Sequence, residues 1–138
     1  MIDNLFQLLT SSSILWMVAG VALGLVFGAV PGLSATLAVV LLIPFTYNLS
    51  ADAGIATLIG AYVGGISGGL VSAIMINMPG TPSSVATTFD GFPMAQQGKA
   101  GKALGVGIIS SFIGTVMSWI VLVLFTPALP KVALQFGP

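Results

Sequence analysis

The sequence carries very little charge, and this scarcity restricts the folds available to it more than any other feature. Only 4% of its 138 residues are charged and the mean hydropathy is +1.14, whereas about 25% of residues are charged in soluble domains. Six charges cannot cover a water-facing surface, and a formal net charge of zero excludes the basic surface that nucleic-acid binding requires. The pattern predicts an integral membrane protein in contact with the lipid bilayer. The charged residues are Asp3, Asp52, Asp90, Lys99, Lys102 and Lys131.

Residue types on which most enzymes depend are missing. The sequence contains no Cys and no His, which removes the thiolate nucleophile, the commonest general base and the commonest metal ligand. Serine and threonine are plentiful, but a hydroxyl nucleophile needs a neighbouring base to take its proton. We therefore predict that the chain is not an enzyme and that it holds no metal centre and no organic cofactor.

Apolar stretches and helix-breaking residues divide the chain into membrane segments. A membrane helix needs about 20 apolar residues to cross the bilayer core. The sequence therefore predicts an all-α polytopic membrane protein, a single membrane segment with about three transmembrane helices and with Pro-Gly-broken or re-entrant parts. The predicted segments are a short interfacial helix at 1–12, a broken transmembrane helix at 14–45, a transmembrane helix at 54–78, a polar re-entrant loop at 79–102 and a transmembrane helix at 103–126.

Glycines recur at intervals of four residues in two of these segments. Such spacing aligns small residues on one helix face, so that the backbone of a second helix can approach closely. The pattern predicts helix packing, and it also allows a mobile, thin-walled seam beside a substrate site. The rows are Gly20, Gly24, Gly28 and Gly32 in the first segment, and Gly60, Gly64 and Gly68 in the second.

Each glycine row leads into a Pro-Gly dipeptide, Pro31-Gly32 in the first case and Pro79-Gly80 in the second. A broken helix frees N–H and C=O groups, which are costly in lipid unless they face protein or a wet cavity. Transporters use such groups to bind anions and cations. The alternatives are an ordinary kink at the first break and an external turn at the second. Asp90 either turns a loop or helps to bind a coupling cation.

Four runs of the sequence resemble one transporter family. They are Gly24-Leu-Val-Phe-Gly-Ala-Val-Pro-Gly-Leu33, Leu42-Ile-Pro44, Gly60-Ala-Tyr-Val-Gly-Gly-Ile-Ser-Gly-Gly69, and the run 73–105, which includes Asn77-Met-Pro-Gly-Thr-Pro-Ser-Ser84. Together they resemble the large permease subunit of tripartite tricarboxylate transporters, the TctA-type family. The resemblance covers essentially the whole chain and is most specific over 79–105. Members of that family are several times longer, so the chain is similar to the N-terminal portion of the permease.

The resemblance implies a multi-pass protein of the bacterial inner membrane. It implies a permease fragment of a binding-protein-dependent secondary transporter that imports tricarboxylates or related carboxylates by symport with Na⁺ or H⁺. The implied partners are a small membrane subunit, a periplasmic solute-binding protein and the remainder of the permease. The alternative is a small glycine-zipper structural or assembly subunit without transport activity.

The family's two breaks correspond to Gly28, Pro31 and Gly32 and to the run 77–84. On physical grounds, we expect N–H and hydroxyl groups at the breaks to bind substrate carboxylates, and carbonyl and acidic groups to hold the coupling ion. The candidate substrate-binding residues are Pro79, Gly80, Thr81, Ser83, Ser84, Gly32 and Ser34. The candidate coupling-ion residues are Asn77, Asp90 and Pro31.

Overall fold

The computed structural model describes residues 13–126, and the predicted interfacial helix at 1–12 lies outside this range. The described residues contain five α-helices, one 3₁₀ turn and no β-strand, which confirms the predicted all-α class. The elements are α1 (Ser13–Ala29), α2 (Ala35–Thr46), α3 (Ala51–Ile76), the 3₁₀ turn Pro82–Ser84, α4 (Val85–Gln96) and α5 (Ala100–Phe125). The chain divides into two compact units between Leu104 and Gly105, and most of α5 belongs to the second unit.

Two of the described helices, α3 and α5, are long and apolar enough to cross a membrane. Each has 26 residues, which corresponds to about 39 Å of helix. The predicted broken span at 14–45 is divided between α1, with 17 residues, and α2, with 12. The number of membrane crossings, about three by the length rule, stays a prediction.

The packing of α1 against α3 is a contact between two backbones. A methyl group at Gly24 would overlap the carbonyl oxygen of Ala61, and one at Gly64 would overlap that of Val21. The same relation holds one turn away in each direction. The further pairs, glycine first, are Gly20 with Thr57, Gly28 with Gly65, Gly60 with Met17 and Gly68 with Leu25. Residue numbers rise together on the two helices, so α1 and α3 run parallel, and the glycine rows pack them as their spacing predicts.

Large apolar side chains point away from the contact between α1 and α3. Within the described residues, Ile74 is the one large side chain that is fully buried, and the other buried apolar residues are alanines. On α3, by contrast, Ile55, Ile59 and Val63 are more than half exposed. A soluble protein rarely exposes so much contiguous apolar surface, whereas lipid accommodates it without cost. The distribution is that of a membrane protein.

The first break, at 30–34, reverses the chain. Pro31 has no N–H to continue the helical ladder, and Gly32 adopts a φ of +94°, which glycine reaches without strain. Leu33 N–H then closes a turn on the Val30 carbonyl at 3.1 Å. Ser34 caps α2, because its hydroxyl accepts the Leu37 N–H at 3.1 Å. The break is therefore a turn followed by a new helix start.

Helix α2 runs antiparallel to α3. Its first residue, Ala35, contacts Gly65, and its last residue, Thr46, contacts Gly54, where an added methyl group would lie 3.3 Å from the Thr46 Cβ. A segment that crossed once over 14–45 would place α3 antiparallel to α1. The structure makes these two helices parallel, because α2, which follows α1 in the chain, runs back along α3 before α3 begins.

Helix α2 continues through Pro44 and ends at Thr46. A short turn over 47–50 then leads to Ser50, the N-cap residue of α3, whose side chain makes no capping bond. Asp52 lies exposed in the first turn of α3, where a negative charge favours the helix dipole. This turn lies at the opposite end of α3 from both breaks.

The second break folds back along α3. The helix ends at Asn77, which is in the left-handed conformation with φ 56° and ψ 26°. The chain then returns to the level of Gly69, where Thr81 packs, about 10 Å from the end of α3. Helix α4 carries it forward again, so that Gly91 contacts Ile74. The predicted polar loop at 79–102 thus contains a helix of 12 residues.

We predict that Gly24→Val separates α1 from α3. Even a methyl group at this position overlaps the Ala61 backbone, and overpacking of a close-packed interior costs about 1–3 kcal/mol. The unfolding free energy in detergent micelles should fall by an amount at the upper end of that range. As the control, Gly114→Ala adds a methyl group with no atom within 4 Å and should preserve or slightly raise stability. Equal melting curves for the two variants would contradict the close packing of α1 against α3.

Candidate functional site at the two helix breaks

The two breaks meet on one face of α3. Ala35, which opens α2, packs on Gly65, and Thr81, which opens the second break's 3₁₀ turn, packs on Gly69. Gly65 and Gly69 are one helical turn apart, so the two contact points lie about 6 Å apart along α3. The sequence separates the two breaks by almost fifty residues, and the return of α2 along α3 brings them together.

Gly80 links the second break to the end of α1. A methyl group here would overlap the Gly28 carbonyl oxygen and would lie 2.9 Å from both the Gly69 Cα and the Ser72 hydroxyl. Only glycine fits between these three groups. Gly28 itself lies three residues before Pro31, so the backbone of one break rests against the helix end that leads into the other.

The helices that leave this face run in opposite directions. Helix α2 runs from Gly65 towards Gly54, and α4 runs from the level of Gly69 towards Ile74. Their N-termini therefore point towards the same stretch of α3, between Gly65 and Gly69. Helix N-termini present free N–H groups and a partial positive charge of about half an elementary charge. The arrangement can bind an anion without a permanent positive charge, because both described lysines lie elsewhere, on the exposed surface at Lys99 and Lys102.

The hydroxyls of the second break largely bond to one another. Ser84 Oγ donates to the Thr81 carbonyl at 2.8 Å and accepts the Thr81 N–H at 3.3 Å. Thr81 Oγ1 lies 3.3 Å from Ser84 Oγ and 3.1 Å from Ser83 Oγ. This reciprocal arrangement is a capping box, which fixes the start of the 3₁₀ turn. Thr81 and Ser84 are buried, and Ser83 is exposed.

The remaining predicted substrate residues lie around these two turns. Ser34 is partly buried and caps α2. Gly32 forms the reversal in the first break, and Pro79 and Gly80 lie in the segment of the second break that returns along α3. The fold therefore brings the predicted substrate residues of both breaks to one region, although it uses several of their side chains to hold the backbone.

The predicted coupling-ion residues are more dispersed. Pro31 lies in the first break, and Asn77 is exposed where α3 ends. Asp90 is exposed on α4, six residues beyond Ser84, or about 9 Å along the helix. Over residues 13–126, no three Asp, Glu, His or Cys side chains cluster closely enough to hold a metal ion. A cation at the breaks would depend mainly on backbone carbonyls.

Sequence reasoning did not assign roles to Gly65, Gly69 and Ser72, which form the floor of the site. Their signal is a second glycine pair, spaced by four residues beside the main row of α3. One row packs α1, and the other receives the two helix starts. Which row packs against α1 and which receives the helix starts depends on where the chain folds back at each break. The glycine spacing does not specify this.

A family model matches nearly the whole chain. The model of the tripartite tricarboxylate transporter TctA family covers residues 14–138. The chain belongs to the TctA family. This confirms the resemblance that the motifs carry, and the family, being one of transporters, favours the prediction that the chain is not an enzyme.

A curated relative of this TctA chain is an uncharacterized 52.8 kDa protein in the TAR-I ttuC' 3' region of Agrobacterium vitis. The two are 39% identical over 129 residues, which is 94% of this chain and 26% of the relative. The chain thus spans about a quarter of the length of that relative. No solved structure matches it significantly.

We predict opposite outcomes for two substitutions at Asn77. Its left-handed backbone, with φ 56°, suits Gly and Asn but strains a β-branched residue. Asn77→Val should lower the unfolding free energy by about 1–2 kcal/mol, whereas Asn77→Gly should leave it unchanged or higher. Thermal unfolding in detergent measures both. If valine is tolerated as well as glycine, the turn at the end of α3 is not the one described.

Proposed function

We propose that the chain is part of a permease subunit that carries a tricarboxylate, or a related carboxylate, across the bacterial inner membrane. The observation that carries this proposal is the pair of opposed helix N-termini on the Gly65–Gly69 face of α3. TctA membership supports the substrate class independently of this geometry. The anion would lie between the two breaks, held by the N–H groups of both helix starts.

An uncharged site suits such a cargo. A multiply charged anion must leave water to cross, and its desolvation is offset only if hydrogen-bond donors replace the lost water. Hydrogen bonds from neutral N–H and hydroxyl groups to a carboxylate are charge-assisted and strong. A site with fixed positive charges would hold the anion more tightly and release it more slowly. Donors on two helix ends bind it and still permit release.

The proposed transporter is binding-protein-dependent and cation-coupled. A periplasmic solute-binding protein delivers the substrate, and a small membrane subunit and the remainder of the permease complete the complex. The coupling ion is Na⁺ or H⁺. For Na⁺, the carbonyl of Phe27 is a suitable ligand, since Pro31 lacks the N–H that would bond to it in a continuous helix. Asn77, Asp90 and Pro31 remain the other candidates.

The alternative, a glycine-zipper structural subunit, is less favoured. A zipper that assembles subunits needs its glycine faces free for another chain. Here the rows of α1 and α3 are already paired with each other. The same contact that packs α1 against α3 therefore removes the main argument for an assembly role.

Substitution of Gly69 tests the proposed function. In Gly69→Ala, the added methyl group would lie 2.7 Å from the Thr81 Oγ1 and 3.0 Å from the Thr81 N, so the second helix start must move. We expect uptake of labelled citrate and tricarballylate to fall by about a hundredfold, since displacement of a binding group by about 1 Å has effects of that size. The assay uses cells that express the permease containing this segment together with its two partner subunits.

Gly114→Ala, with open space around the added methyl group, is the matched control and should retain uptake. Membrane insertion of both variants is measured by blotting isolated membranes. Normal uptake by an inserted Gly69→Ala protein would overturn the assignment of the site. A wild-type complex that takes up no carboxylate would overturn the function.

Asp90 has a separate test, because its role concerns the ion and not the anion. If its carboxylate binds the coupling cation, Asp90→Asn should insert normally and should raise the half-saturating Na⁺ concentration about tenfold or more, the effect of one charge-assisted contact. Coupling to H⁺ would instead flatten the pH dependence of uptake. An unchanged response to both ions would assign coupling to backbone carbonyls such as that of Phe27.

A further inference from the structure

A groove of about 750 Å³ lies between α1 and α2. Both helices pack on α3, α1 through its glycine row and α2 through Ala35 and Thr46, and the groove is the space left between them. Large apolar side chains form both of its walls. Helix α1 contributes Trp16, Leu23 and Phe27, and α2 contributes Leu41 and Phe45.

The unbonded polar groups of the groove lie at one end. Trp16 lies where α1 begins and Asn48 where α2 has just ended, and neither side chain makes a hydrogen bond to another described residue. Thr57 lies further in, but its hydroxyl is used by a bond to the Ala53 carbonyl at 2.7 Å. From Trp16 to Phe27, α1 rises about 16 Å, close to half of the bilayer's hydrocarbon core of about 30 Å. Because tryptophan typically marks the headgroup boundary, the groove has the polarity and depth of one lipid leaflet.

The walls of the groove do not suit another helix. Where helices of this fold meet closely, they do so through glycines such as Gly24 and Gly64, as is usual for membrane helices. The groove presents leucine and aromatic side chains instead. A helix with its side chains is about 10 Å wide, so a length of about 16 Å would occupy about 1,300 Å³, which exceeds the volume of the groove. A flexible acyl chain can adapt to such walls.

The charge near the polar end is negative. Asp52 is exposed in the first turn of α3, four residues beyond Asn48, and no Lys or Arg precedes Lys99 in the sequence. The Asn48 amide and the Trp16 indole N–H are donors that suit a phosphate, while the Asp52 carboxylate suits an ammonium group. A headgroup with only negative charge would be repelled by Asp52. Charge complementarity therefore favours a zwitterionic headgroup.

We propose that the groove between α1 and α2 binds an acyl chain of a phosphatidylethanolamine lipid, whose headgroup lies at the Asn48 and Asp52 end. The chain leaves a bilayer that is as apolar as the groove, so it gains dispersion contacts and little else. Selection among lipids therefore depends on the headgroup, with its phosphate and primary ammonium. This site is separate from the helix breaks, and the inference does not depend on the substrate that the permease carries.

The test uses native mass spectrometry of the full permease with its partner subunits. The complex is released from nanodiscs that contain phosphatidylethanolamine and phosphatidylglycerol in equal amounts, with identical acyl chains. Ala19→Phe places a ring in the groove, because Ala19 is exposed and lines it. The matched control is Ala22→Phe, at an exposed position of α1 that does not line the groove.

We expect the wild-type complex to retain about one phosphatidylethanolamine per permease that Ala19→Phe loses, while Ala22→Phe keeps it. Asp52→Asn should lower the ratio of bound phosphatidylethanolamine to phosphatidylglycerol by about two- to fivefold, the effect of one exposed ion pair. Asp90→Asn removes an equal charge from α4 and should leave this ratio unchanged. The melting temperatures of all four variants should stay near that of the wild type.

A photo-crosslinking experiment distinguishes a lipid from the other possible occupants. Benzoylphenylalanine in place of Leu23, which lines the groove, should form a crosslink to lipid on illumination. A crosslink to a peptide from residues 1–12, from the remainder of the permease or from a second copy would overturn the inference. Equal lipid counts for Ala19→Phe and the wild type would do so too, as would equal retention of the two lipids by the wild type. Each of these results would leave the proposed function intact, because carboxylate uptake is measured separately.

Discussion

The structure depends on the direct contact between the backbones of α1 and α3. In a bilayer, the hydrophobic effect does not drive helices together, so close approach and dispersion must do so. Glycines such as Gly24 and Gly64 permit this approach, although each lowers helix propensity by about 1 kcal/mol relative to alanine. Because the glycine contacts of α1 and α3 are in parallel register, the chain must run back from the end of α1 to the level at which α3 begins. Helix α2 makes this return.

The return positions the site. With α1 and α3 parallel, the turn after Pro31 and the fold-back after Asn77 fall at the same end of the first unit. The two helix starts then share one face of α3, and Gly80 can rest on the Gly28 carbonyl. None of these contacts involves a charged side chain. The site is formed by the backbone at the two helix starts, and the capping hydroxyl groups fix the direction of that backbone.

The sequence predicted the membrane environment and the positions of the helix breaks. It did not predict the direction in which the chain continues after each break. Charge scarcity and glycine spacing predicted a membrane protein with closely packed helices, because both depend only on residue type and period. Pro31-Gly32 marked a break, but a proline–glycine pair permits a kink as readily as a reversal. Only the contact of Ala35 with Gly65 decides between them.

Helix α4 was not anticipated for a similar reason. Gly91 and Pro93 lie inside it, and both residues lower the helix propensity of an isolated segment. The contact of Gly91 with Ile74 supplies a tertiary reason for the helix. Likewise, the hydroxyls of the motif 81–84 are equivalent in the sequence. Their division into two buried hydroxyls, on Thr81 and Ser84, and an exposed one, on Ser83, follows from the 3₁₀ turn.

The scarcity of large side chains in the contact between α1 and α3 has an evolutionary consequence. In a soluble core, the common damaging substitution removes methylene groups and leaves a void. Here the buried positions are mostly glycine and alanine, which have almost no side-chain volume to lose. At the glycine and alanine positions damage comes from enlargement, and every single-nucleotide missense change at a glycine codon adds atoms. Purifying selection on this segment should therefore act against bulk, and variation should accumulate on its lipid-facing side.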